Sequence, residues 1–147
     1  MKMMGVSVLL DTNILLRYLN RGLPQHDAIQ PRVAKLIDDD ATLWISRQII
    51  REYLVQVTRP GFLATPLPVD AILDQMEAIQ RVFQIADDTD LVTRQLLMLI
   101  RQYPTGGKQI HDANLVATML AYQIDTLFTL NLADLQRFGD RITLMTI

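Results

Sequence analysis

An aspartate ends an apolar run near the start of the chain, and two more oxygen-bearing side chains follow it, in Val6-Ser7-Val8-Leu9-Leu10-Asp11-Thr12-Asn13. Carboxylate, hydroxyl and amide oxygens in succession suit a hard divalent cation. Three further acids or amides fall at comparable places. Glu52 lies in a helical stretch, Asp112 follows a Gly-Gly break, and Asn131 directly follows Phe128-Thr129-Leu130. Each has an ordinary alternative. Asp11 or Thr12 can cap a helix, as can Asn131. Asp112 can serve a first helical turn, and Glu52 can be a solvated helix residue.

The elements that must position these side chains alternate between strand and helix. Val6, Val8, Leu9 and Leu10 predict a buried strand over 6–10, and Ile14, Leu15, Tyr18 and Leu19 repeat at helical spacing over 12–20. A loop over 22–27 leads to a helix over 31–38, with Pro31 suited to its first turn. A strand over 43–45 precedes Ser46, which caps a helix running to Thr58 and stopped by Arg59-Pro60-Gly61. Residues 62–68 are apolar but broken by Pro66 and Pro68, which predicts a loop or an arm facing a partner. A helix over 69–80, a strand over 82–85, and a helix capped by Asp87 or Asp88 and running to Arg101 come next. After the break at 103–107 the pattern predicts a helix over 111–122, a strand over 126–130, a short helix over 132–137 and a strand over 142–145.

Strands separated by helices pair in parallel through right-handed crossovers. The expected fold is α/β: a three-layer α/β/α sandwich with a mostly parallel sheet of about five strands, one domain over residues 1–147. Ligands of such sheets bind outside the carboxyl ends of the strands. That edge is where Asp11, Glu52, Asp112 and Asn131 are expected to face a common crevice. Glu52 is six steps beyond Ser46, and at roughly 1.5 Å per residue it stays within about two turns of the edge.

Composition bounds the alternatives. With 14 basic and 16 acidic residues the net charge is −2, which is not the footprint of nucleic-acid binding through bulk charge. It does allow an acidic metal pocket with a few local arginines, for which Arg17, Arg21, Arg47, Arg51 and Arg101 are candidates. Half the residues are hydrophobic, yet no apolar run is long enough to cross a bilayer, so no membrane is expected. The mean hydropathy of +0.17 points instead to a partner or a self-interface. The absence of cysteine removes disulfides, thiolate zinc sites and iron–sulfur clusters, and fits a reducing cytoplasm. The N-terminus shows no small-residue cleavage site, so no signal peptide is expected. The seven methionines read as core or interface filler. Thr105-Gly106-Gly107-Lys108 is not a phosphate loop, because Gln102 and Gln109 stand where that motif needs glycine and a hydroxyl.

Taken together, LLDTNILLRYL, SRQIIREYLVQVTRP, HDANLVATMLAYQIDTLFTLN and LADLQRF resemble the PIN-domain family, and within it the bacterial VapC-type toxins. The resemblance spans essentially the whole chain. It implies an endoribonuclease whose acids hold Mg²⁺ or Mn²⁺, with Asp11, Glu52 and Asp112 at the first three acidic positions. The fourth, acidic in many members, is Asn131 here; the exchange removes one negative charge and should weaken metal affinity, with Asp134, one helical turn on, the candidate to compensate. On this reading Asp11 and Asp112 are direct or water-bridged ligands, and Glu52 orients the attacking water or holds a second ion. Asn13, Thr129 and Asn131 line the pocket, and His111 is a local hydrogen-bonding residue. An all-oxygen set favours Mg²⁺ or Mn²⁺ over zinc, and clustered carboxylates should raise one another's pKa. The resemblance further implies a cytoplasmic homodimer and a small antitoxin that covers the pocket.

Two other readings stay open. Asn131 motivates a PIN fold that binds RNA or protein without cutting. An aspartyl-phosphate hydrolase would use Asp11 as nucleophile, but it wants an acid where Asn13 stands and a lysine near the pocket, and Lys108 is the only lysine after Lys35.

Overall fold

The computed structural model describes residues 5–147. Readings that rest on Met1, Lys2, Met3 and Met4, including the absence of a signal peptide, lie outside the described residues. Of the other methionines, Met76 and Met119 are buried, whereas Met98 is exposed on a helix surface.

The chain runs β1 (Ser7–Leu10), α1 (Thr12–Leu19), α2 (His26–Asp38), β2 (Thr42–Ser46), α3 (Arg47–Val57), α4 (Val69–Val82) and β3 (Gln84–Ala86). It continues through α5 (Asp90–Gln102), α6 (Gln109–Tyr122), β4 (Thr126–Phe128), α7 (Leu132–Leu135), a 3₁₀ turn over Gln136–Phe138 and β5 (Thr143–Met145). The five strands form one sheet in the order β3-β2-β1-β4-β5. Every pairing is parallel, with Leu9 opposite Trp44 on one side and Leu10 opposite Phe128 on the other. Consecutive residues Val8, Leu9 and Leu10 of the central strand are all fully buried. Both faces of β1 are therefore covered, the arrangement that a parallel sheet requires.

The order of strands decides where a site can form. From β1 the chain steps outward to β2 and β3, then returns to the opposite side of β1 for β4 and β5. Right-handed crossovers put α1 to α4 on one face and α5 to α7 on the other. The reversal falls between β1 and β4, and a crevice opens there at the carboxyl edge.

Local chemistry starts and stops the helices. The Asp11 carboxylate caps α1 by accepting from the Thr12 N–H, and Ser46 caps α3 by accepting from the Ile49 N–H. The cap of α5 is Thr89, which accepts from the Val92 N–H, and not Asp87 or Asp88. β3 ends at Ala86, leaving the hydroxyl of Thr89 three residues ahead of that donor. Asp87 and Asp88 pair instead with Arg47 and Arg51.

Helix α2 begins at His26, five residues before Pro31, after Gln25 turns the chain in a left-handed conformation at φ 69°. Pro31 therefore sits inside the helix. The carbonyl it leaves without an N–H belongs to Asp27, an exposed residue whose oxygen water can serve. The 62–68 segment is irregular, as expected, with Phe62, Leu63 and Leu67 packed against the core. The fully buried Tyr53 donates to Gln75 Oε1 at 2.5 Å and accepts from Asn20 Nδ2 at 3.1 Å. These bonds fasten α3 to α4 and to the end of α1, and hold in place the helix that carries Glu52.

Candidate active site

Asp11 leaves the sheet at the end of β1, where its backbone N–H donates to the Phe128 carbonyl of β4 at 2.9 Å. Its carboxylate is almost wholly buried, with the residue 7% exposed. Oδ1 accepts from the Thr12 N–H at 2.7 Å and Oδ2 accepts from Thr129 Oγ1 at 2.8 Å. The Asp11 pKa rises from 3.8 to about 6: burial raises it most, the bonds from Thr129 and Thr12 lower it, and the nearby charges of Glu52 and Asp112 raise it. Thr129 Oγ1 also accepts from the Asn131 N–H at 2.9 Å, and the Leu130 N–H donates to Asn13 Oδ1 at 3.2 Å. The ends of β1 and β4 are thus stitched together by side chains from both.

Glu52 reaches the same place from α3. Its Oε2 accepts from Thr12 Oγ1 at 2.6 Å and its Oε1 accepts from Gln48 Nε2 at 2.9 Å. Thr12 joins the two carboxylates, giving its backbone N–H to Asp11 and its hydroxyl to Glu52. Thr12 Oγ1 donates to Glu52 and Asn13 Oδ1 accepts from Leu130, so both residues, read from the sequence as oxygen donors for a cation, also hold other groups of the site in place.

Asp112 occupies the first turn of α6 and is half-buried. Its pKa is raised by burial first and then by the nearby charge of Asp134, with Glu52 adding to the rise and Arg137 and His111 opposing it. Asp134, read from the sequence as the acid that could compensate for Asn131, thus lies close enough to Asp112 for its charge to be felt there. Asn131 stands at the N-cap position of α7, but its side chain makes no capping hydrogen bond there.

Asp11, Glu52, Asp112 and Asn131 all line one cavity of about 560 Å³. Arg17 and Arg51 supply positive charge at its wall, and Leu16, Val55, Phe62 and Leu115 its apolar surface. Of the five arginines singled out in the sequence, Arg21, Arg47 and Arg101 do not border this cavity, nor do Lys35 and Lys108. His111 borders it, and its backbone carbonyl accepts from Gln48 at 3.1 Å. Gln48, which lines the cavity, escaped the sequence reading. Its position four residues before Glu52, one helical turn, was the available signal.

The cavity wall offers three carboxylates, a donor set suited to a hard cation. Among the described residues no three acidic, histidine or cysteine side chains are placed to close on one ion unaided. A cation held there would therefore have to keep part of its water shell, as Mg²⁺ does when one or two carboxylates hold it.

A buried acid at the strand switch point, with two more carboxylates from the helices on either side, is the arrangement in which comparison with known families becomes informative. The PIN domain family model matches residues 8–139, and the chain belongs to that family. Among solved structures, the chain is similar to VapBC2 from Rickettsia felis, bound in that crystal to a DNA fragment from its promoter. The TM-score is 0.68 at 17% identity, over 97% of this chain and 99% of that one. It is also similar to VapC20 from Mycobacterium tuberculosis, a toxin that cleaves the sarcin–ricin loop, with TM-score 0.65 at 14% identity over 88% and 94% of the two chains. FitAcB from Neisseria gonorrhoeae gives 0.66 at 19% identity over 94% and 96%. At these identities the likeness is one of fold. No curated protein matches the chain significantly by sequence. Among the described residues no helix is long and apolar enough to cross a membrane.

Proposed function

We propose that the protein is a metal-dependent endoribonuclease that hydrolyses RNA phosphodiester bonds, and that it is the toxin of a toxin–antitoxin pair. The observation that carries this reading is the convergence of Asp11, Glu52 and Asp112 on one cavity whose wall also holds Arg17 and Arg51. Membership of the PIN family and a fold shared with VapBC structures support it.

Asp11 and Asp112 would hold Mg²⁺ or Mn²⁺, directly or through water. The bound cation would acidify a coordinated water and offset charge on the phosphate. Glu52, its two oxygens fixed by Thr12 and Gln48, orients the attacking water and takes up its proton. Thr129 keeps the buried Asp11 carboxylate aimed into the cavity, and Asn131 lines it as a polar, uncharged neighbour. Arg17 and Arg51 bind the flanking phosphates. Asn131 in place of a fourth acid favours one ion over two.

An antitoxin is the proposed partner, covering the apolar rim that Val55 and Phe62 contribute to the cavity. A homodimer and a cytoplasmic location complete the proposal. The aspartyl-phosphate reading loses support because neither Lys35 nor Lys108 lines the cavity. A non-cutting module is the second reading, motivated by Asn131.

Wild type and Asp11→Asn are compared on total RNA with Mn²⁺, with Mg²⁺ and with EDTA. Cleavage by wild type that needs metal and is lost in Asp11→Asn is the expected result. Folded, antitoxin-free protein that binds RNA without cutting it would overturn the nuclease and leave the binding module.

A further inference from the structure

Gln48 is 6% exposed and sits in the first turn of α3. Both polar atoms of its amide are engaged. Nε2 donates to Glu52 Oε1 at 2.9 Å and to the His111 carbonyl at 3.1 Å, while Oε1 accepts from Asn114 Nδ2 at 2.9 Å. Two acceptors on one side and a donor on the other permit a single orientation of the amide. Of its partners, one is a candidate acid on α3. The second is the carbonyl immediately before Asp112, and the third is a side chain on the helix that carries Asp112.

Helices α3 and α6 approach the carboxyl edge from opposite faces of the sheet. Packing on the sheet brings them near each other, and side chains that reach from one to the other fix their fine spacing. We infer that Gln48 is a positioning residue that sets the separation of Glu52 and Asp112 across the sheet edge, with Asn114 orienting its amide. Partners one shell outside a metal site fix its ligands and typically matter about tenfold to a hundredfold in affinity or activity. The inference rests on the nuclease reading for its effect on catalysis, but not for its effect on cation binding.

The test uses wild type, Gln48→Met, Asn114→Ala and the double variant. Mn²⁺ binding is read from the paramagnetic resonance of the free ion, and RNA cleavage from kcat and KM. Thermal melting controls for folding. Gln48→Met is expected to weaken Mn²⁺ binding by about tenfold and to lower kcat by about tenfold to a hundredfold, with KM within about threefold. Asn114→Ala is expected to lose about threefold to tenfold in the same two quantities, and the double variant no more than Gln48→Met alone, because both act through one amide. Unchanged Mn²⁺ affinity in Gln48→Met, or losses that simply add, would overturn the inference. Should Gln48→Met fail to fold, Asn114→Ala decides alone: wild-type Mn²⁺ affinity there overturns it. Absence of RNA cleavage by wild type would overturn the nuclease reading instead, while the Mn²⁺ series still decides the role of Gln48.

Discussion

Thr129 Oγ1 donates to Asp11 Oδ2 at 2.8 Å across 118 residues of sequence, because the two residues follow adjacent strands of the sheet. The bond stabilises the charged form of the carboxylate and so opposes the pull of burial toward the neutral acid. Thr129→Val keeps the shape and removes the donor. A hydrogen bond to a charged group contributes about 1.5–3 kcal/mol, so the Asp11 pKa should climb from about 6 by about one unit or more. Carboxyl resonances titrated by NMR in the metal-free protein report it directly. An unmoved pKa would show that the hydroxyl contributes nothing.

The same buried acid makes stability depend on pH. The Asp11 pKa rises from 3.8 to about 6 on folding, so between those values the folded chain holds a proton that the unfolded chain has released. The stabilisation is complete below pH 3.8 and is lost as pH rises through about 6. The loss is on the order of 3 kcal/mol. Asp112, shifted the same way, adds to it. Urea unfolding in EDTA should therefore show Asp11→Asn gaining on wild type from pH 4 to pH 7.5. Added Mn²⁺ should close the gap by stabilising the wild-type carboxylate. A difference between the two proteins that is flat with pH would contradict the burial argument.

Glu52 and Asp112 should separate by role. Asp112→Asn is expected to weaken Mn²⁺ binding by about tenfold or more, as loss of a ligand should. Glu52→Gln should lower kcat by about a hundredfold or more and leave RNA affinity within about threefold. Calorimetric titration with Mn²⁺ and cleavage kinetics test both. Unchanged metal affinity in Asp112→Asn, or full turnover in Glu52→Gln, would refute the corresponding assignment.

Arg17 and Arg51 border the cavity, whereas Arg101 lies away from it. In an Asp11→Asn background, Arg51→Ala should weaken RNA binding and reduce the salt dependence by about 0.7 in log–log slope, the value for one single-strand phosphate contact. Arg101→Ala should leave both unchanged. Fluorescence anisotropy across a salt series distinguishes them.

The start of α5 offers a test of local structure. Thr89→Ala should cost about 1 kcal/mol by removing the cap on the Val92 N–H. Asp88→Ala should cost less than about half of that, because its bond with Arg51 is solvent-exposed. Chemical denaturation of the two variants, with equal losses as the contrary outcome, checks the assignment.

Much of the fold was legible because its signals are local. The run ending at Asp11 and the helical repeat behind it show strand and helix without reference to the rest of the chain. The alternation then dictates parallel pairing, and with it the sheet edge at which Asp11, Glu52, Asp112 and Asn131 gather. Where the sequence misled, two local signals competed. Pro31 suits a first turn, yet His26 begins the helix because Gln25 adopts the left-handed turn and water serves the carbonyl that Pro31 leaves free. Asp87, Asp88 and Thr89 can all cap, and arginines on a distant helix engage the first two.

The amino-acid sequence by itself determined the element order, the apolar strands and the set of acids at strand ends, since residue type and period suffice for each. Tertiary structure alone decided that β1 lies beside β4, that Thr12 bridges Asp11 to Glu52, and that Gln48 joins α3 to α6. Those relations are hydrogen bonds between groups 40 to 118 residues apart. No periodicity encodes such partners; the packing of helices on both faces of the sheet brings them within reach.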